Sequence, residues 1–191
     1  MKLLLISGSA RRGSLNGMLA AAAARLAASQ GVEADLVAPG DLRLPLYDGD
    51  LEEAEGLPAS VVALKARFIA ADAILFACPE YNSSITPLLK NLIDWVSRAG
   101  SETEAPLAAY KGKVAGLVAA SPGALGGMRG LVTVRSILGN IGVIVVPTQF
   151  AMSKAYEAFD SEGNLVNDRA EKSLESVVLE VIRVAKALAE K

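Results

Sequence analysis

The chain has 191 residues, 52% of them hydrophobic and 21% charged, the profile of a compact domain and not of a disordered segment. It has no histidine and one cysteine, which excludes imidazole catalysis, an internal disulfide and a Cys/His zinc site. A formal net charge of -2 gives no general attraction to nucleic acid or anionic lipid, so an anion site has to be local. The apolar run after Lys2 is too short for a signal peptide, and later apolar runs fall far below the ~18 residues that span a bilayer. The expectation is a cytoplasmic protein with no membrane or nucleic-acid partner.

Residues 2 to 6 (KLLLI) form a continuous apolar run ending in SGSARRGS, as a strand buried on both faces does. A helix is expected over 15 to 29, favoured by the alanines at 20 to 24, and Gly31 ends it. The alternation of VEADLV predicts a second strand at 32 to 37. Residues 38 to 58, rich in proline and glycine, read as a long irregular connection before a helix at 59 to 70. AILFAC at 73 to 78 is a third strand, stopped by Pro79, and Pro87 suits the first turn of a helix running to about Arg98.

A fourth strand at 113 to 120 leads through SPGALGGMRG into a helix ending near Leu138, and VIVVP at 143 to 147 is a fifth strand. The segment 148 to 165 contains FDSEGNL, a turn by composition, and the final helix at 167 to 189 carries apolar residues at helical spacing. The acidic spacing of Asp160 to Asn164 does not fit a calcium loop. Strands alternating with helices imply one α/β domain over 1 to 191, a doubly wound five-stranded parallel sheet of order 2-1-3-4-5 with helices on both faces. Ligands in such sheets sit beyond the carboxyl ends of the strands, where strands 1 and 3 diverge.

The loop Gly8 to Asn16 therefore places Ser9, Arg11, Ser14 and Asn16 between a buried strand and a helix N-terminus, a setting that favours phosphate. Capping of the helix by Ser14 or Asn16, with solvated arginines, is the competing reading. A Walker loop needs lysine where Ser14 stands, and the dinucleotide fingerprint needs glycine where Ala10 stands. A monophosphate is favoured. The second loop, Pro79 to Pro87, follows strand three, and the third contains Ser121 and Gly123 in a glycine-rich stretch with room for a planar ligand. Cys78, at the end of an apolar strand, reads as a small buried hydrophobe.

GSARRGSLN, PEYNSSITPLLKNLIDW at 79 to 95, SPGALGG and FDSEGNL, in that order, make the chain resemble the NAD(P)H-dependent FMN reductases, which include quinone, azo and chromate reductases of flavodoxin-like fold. The resemblance implies that Ser9, Arg11, Ser14, Leu15 and Asn16 bind the FMN phosphate. It implies that Pro79, Glu80, Tyr81 and Asn82 lie along the flavin ring, and that Ser121 and Gly123 approach its edge. No side chain is then required as a nucleophile, because the cofactor supplies the chemistry. The implied reaction passes a hydride from NADPH or NADH through FMN to a quinone, azo compound, free flavin or chromate in a ping-pong cycle. The alternative is a flavodoxin-like electron carrier without a substrate of its own, disfavoured by Arg11, Arg12 and the small net charge. The resemblance further implies a homodimer or homotetramer joined through the helix at 87 to 98; Trp95 there reads from its residues as core or as an interface anchor, and the resemblance tips it to the interface.

Overall fold

The computed structural model describes residues 1–189. Its main sheet is built from β1 (Lys2–Ser7), β2 (Glu33–Leu36), β3 (Ala73–Ala77), β6 (Val114–Ala120) and β7 (Ile144–Met152), all parallel, in the order β2-β1-β3-β6-β7. A small antiparallel pair, β4 (Glu80–Tyr81) and β5 (Ser84–Ile85), stands apart from it. Counting only the main-sheet strands, the order is the expected 2-1-3-4-5, and the fold is a flavodoxin-like α/β sheet.

The apolar strands read as continuous runs because alternate residues feed two separate cores. Leu3 and Leu5, with Ala73 and Leu75, face α1 (Leu15–Ser29) and α6 (Asp168–Ala189). Leu4 and Ile6, with Ile74 and Phe76, face α3 (Ala59–Ala70), α4 (Pro87–Ser97) and α5 (Met128–Asn140). Every one of these strand side chains is fully buried, and burial of a Leu, Ile or Phe stabilises by about 1.5–3 kcal/mol each. Gly116 in β6 lets α6 close onto the sheet, since a Cβ there would stand 2.6 Å from Val181 Cγ2.

Three differences from the sequence reading have physical causes. The connection 38 to 58 contains α2 (Gly49–Glu55), which buries no residue and so leaves no apolar periodicity to read. Asp48 caps it through Asp50 N, and Glu52 is tied to Tyr47 Oη and to Arg98 Nε, each at 2.8–2.9 Å. The fifth main strand continues past Pro147 to Met152, because an edge strand tolerates the missing N–H. Its register against β6 jumps there, from Ala115↔Val145 to Leu117↔Gln149. The turn lies at FDSEGNL as expected, where Phe159 bridges Leu165 and the Asp160 carboxylate accepts Glu162 N and Asn164 N.

The third difference concerns Trp95. The indole is fully buried in its own chain, donates to Pro45 O at 2.8 Å, and meets Tyr47 edge-on with centroids 4.9 Å apart. Leu89, Leu92, Ile93 and Val96 are buried with it, so Trp95 is a core residue that pins the 45–47 segment and not an interface anchor.

Candidate functional site: the loops beyond β1, β3 and β6

The site begins where β1 ends. Gly8 continues the ladder by donating to Ala77 O at 2.8 Å, and it must be glycine because a Cβ would lie 2.9 Å from Pro79 Cδ and 3.1 Å from Leu89 Cβ. The chain then folds into an Arg11 N to Ser9 Oγ turn and enters α1 at Ser14, whose Oγ caps the helix by accepting Gly17 N at 3.3 Å. Capping leaves the Ser14 hydroxyl proton free to donate elsewhere. Leu15 and Asn16 open the helix, so their N–H groups have no acceptor within it.

Three side-chain ties hold the loops against one another. Thr86 caps α4 by accepting Leu89 N and donates its hydroxyl to Gly8 O at 2.8 Å. Asn16, buried, donates Nδ2 to Ala120 O at 2.8 Å and accepts Ala120 N at 2.9 Å, joining the first loop to the end of β6. Glu80 reaches α5, accepting Arg129 Nε and Nη2 at 3.0 and 2.6 Å on one oxygen and Gly130 N at 3.1 Å on the other. Burial alone would raise the Glu80 carboxyl, but the guanidinium and the N–H outweigh it and hold it below its ordinary value.

The hairpin β4–β5 turns at Asn82 and Ser83, both at positive φ (50° and 67°), which is the two-residue turn that matches strand twist. Tyr81 is more than half exposed beside it. In the third loop Gly126 and Gly127 are buried and serve packing, because Cβ atoms there would stand 2.7 Å from Ala151 C and 2.9 Å from Ala119 Cβ. The expected room for a planar ligand at 123 to 127 is therefore absent at those two glycines. The Cys78 thiol is fully buried and burial pushes its pKa up, so it is held as a neutral thiol.

These loops enclose a cavity of about 210 Å³ lined by Ser9, Arg11, Ser14, Leu15, Asn16, Pro79, Glu80, Tyr81 and Ser121 among the residues named from sequence. Asn82 and Gly123 do not line it. Ala120, Pro122 and Tyr156 do, and were missed. Tyr156 arrives because β7 runs on to Met152, whose carbonyl accepts Ser121 N at 3.0 Å, delivering the next residues beside the third loop. The one sequence signal for it was an aromatic residue just before the FDSEGNL turn. Larger cavities, about 340 and 360 Å³, lie at the β7 edge and near the amino end of β6, away from the switch point between β1 and β3.

Comparison with known proteins bears on this arrangement. Residues 1–157 match the family model described as NADPH-dependent FMN reductase. A probable NADPH:quinone oxidoreductase 2 of Oryza sativa subsp. japonica is 35% identical over 94% of this chain and 86% of its own length. An NAD(P)H-dependent FMN reductase of Pseudomonas aeruginosa is 36% identical over 92% of this chain and 90% of its own. Among solved structures, a flavoenzyme NAD(P)H:(acceptor) oxidoreductase from Paracoccus denitrificans superposes with a TM-score of 0.84 at 28% identity, covering 97% of each chain. The family model over residues 1–157, with relatives 35–36% identical nearly end to end on the same doubly wound sheet, places the chain in the NADPH-dependent FMN reductase family.

Proposed function

We propose that the protein oxidises NADPH or NADH and passes the hydride through bound FMN to a small acceptor such as a quinone, azo compound, free flavin or chromate, in a ping-pong cycle. The observation that carries this reading is the cavity at the carboxyl ends of β1, β3 and β6, which joins a helix N-terminus and a guanidinium to a flat peptide surface. Its residues suit FMN. The Leu15 and Asn16 N–H groups, the Ser9 and Ser14 hydroxyls and Arg11 would hold the phosphate. Pro79 and the backbone of 80 to 82 would lie along the ring, with Ser121 at its edge. Asn16 would offer its backbone N–H, since its side chain is engaged by Ala120.

The cavity is smaller than FMN, so part of the ring would stay open to a second molecule. One open space serving donor and acceptor in turn suits a ping-pong cycle. Among relatives, a 2-hydroxy-1,4-benzoquinone reductase of Burkholderia is 31% identical over 92% of this chain, which favours quinones as the acceptor class. A reduced nicotinamide as donor favours a cytoplasmic location. We read the chain as one domain, and as a homodimer or homotetramer. Since α4 turns its large apolar residues inward, the better candidates for a contact are the exposed Leu125, Met128 and Val132 at and before α5.

The test is the absorbance spectrum of the purified protein, followed by NADPH without oxygen. Flavin bands that bleach within seconds, and recover on adding a benzoquinone, are expected. Bound flavin that NADPH and NADH both leave oxidised would favour the electron-carrier reading instead.

A further inference from the structure

A second cavity, of about 280 Å³, lies on the other side of the same phosphate loop. It shares Ser9, Arg11 and Ser14 with the first, so the two spaces meet at that loop. Its walls are apolar and come from different elements: Met18 and Ala21 from α1, Leu36 from the end of β2, Leu42 from the turn beyond it. Leu36 is 39% exposed, an apolar surface left open at the mouth. At the rim stand Arg11 and Arg12, both exposed, and no carboxylate among the described residues lines the space. The nearby Asp41 is turned away to Arg67 Nη1 at 2.9 Å. Arg11 lines both cavities and Arg12 this one alone, its fork turned to no neighbour among the described residues.

Flat apolar walls with an arginine rim and no acidic group fit a planar, weakly polar ring that carries a phosphate. A nicotinamide donor has such a part, its adenosine end, and in NADPH that end bears a 2′-phosphate. We propose that this cavity takes the adenosine end of NADPH and that Arg12 reads the 2′-phosphate, making Arg12 a specificity-determining residue. The proposal rests on the reading of the chain as an NAD(P)H-oxidising flavoprotein. It divides the phosphate loop between two anions, with Arg11 on the FMN side and Arg12 on the donor side. Without Arg12 the apolar walls would still accept adenosine, so NADH and NADPH would be treated more nearly alike.

The test uses the FMN-loaded protein, so that the first cavity is filled, and titrates 2′,5′-ADP and 5′-AMP by calorimetry. Wild type is expected to prefer 2′,5′-ADP, and Arg12→Gln to lower that preference about tenfold, the usual worth of one charge-assisted contact. The ratio of kcat/KM for NADPH to that for NADH should fall by the same factor. Ala21→Leu, which narrows the cavity from the α1 wall, should weaken both nucleotides while the bound FMN content confirms folding. Absence of 2′,5′-ADP binding in wild type, or a preference that Arg12→Gln leaves untouched, would overturn the proposal. Failure of the parent reading looks different: neither nicotinamide would bleach the flavin, whatever the two nucleotides do in the calorimeter.

Discussion

Asn16 uses both ends of its side-chain amide on the backbone of Ala120, which leaves its backbone N–H as the group it can offer a ligand. Replacing it by alanine would orphan a buried N–H and a buried C=O, so Asn16→Ala should cost about 2–3 kcal/mol, read as a lower urea midpoint. Arg11 is exposed and, among the described residues, held only by Gly13 O, free to turn to an anion. Arg11→Ala is expected to weaken FMN ten- to a hundredfold, from loss of about 1.5–3 kcal/mol, while hardly changing riboflavin, which lacks the phosphate. Solvent exposure pulls the FMN loss toward the lower figure, so fluorescence titration of both flavins into both proteins, read as a contrast, decides it. Tyr81, exposed on the hairpin, is expected to place the ring and not to move a proton. Tyr81→Phe should therefore keep turnover within about tenfold, and a loss of a thousandfold with flavin bound would make Tyr81 a proton donor.

At the scale of elements, α5 begins without a side-chain cap, because Gly127 at φ 90° occupies the position. Glu80 from β4 supplies the missing acceptor to Gly130 N and adds a charge favourable to the positive end of the helix. The second loop is thereby fastened to the helix that ends the third. Glu80→Ala should lower stability by about 1–2 kcal/mol and loosen both loops together. The sign with pH follows from the depressed Glu80 carboxyl: its contribution is fully present above the ordinary value of 4.5 and is lost as pH falls through the folded value. Denaturation midpoints measured from about pH 6 down to about pH 3 should fall more steeply for wild type than for Glu80→Gln, which keeps an acceptor but does not titrate. Equal slopes would mean that Arg129 and Gly130 do not recognise the charge.

For the whole molecule, the sheet order puts β1 and β3 side by side with their carboxyl ends at one edge, and the helices following them leave on opposite faces. The crevice this makes is why loops 70 residues apart in sequence share one cavity. On the same sheet, α4 and α5 lie on one face, with the apolar side chains of α4 consumed by the chain's own core and by the 45–47 segment. Sedimentation at micromolar concentration is expected to show twice the chain mass or more, and Val132→Glu to shift it toward the monomer. A monomer with full flavin content would overturn the self-association reading.

The sequence by itself located the five main strands and their order: β1, β3 and β6, buried along their length, are written as continuous apolar runs, and the edge strand β2 as an alternation. It located the first site loop, between a run that stops at Gly8 and a helix that Ser14 caps. It also marked Ser9, Arg11, Ser14 and the residues 79 to 81 as neighbours of one site, since a doubly wound sheet brings those loops together. Only the tertiary structure decided what each of those side chains is free to do. Asn16 and Glu80 look like ligand groups in sequence, and in the fold their polar atoms are engaged by Ala120, Arg129 and Gly130 from distant segments. Trp95 looks like a surface anchor until the 45–47 segment, which has no periodicity to announce it, folds over the indole. Tyr156 joins the site because β7 crosses Pro147 on the open edge of the sheet, where a missing N–H breaks no ladder, and only the folded chain shows that this strand runs on to Met152.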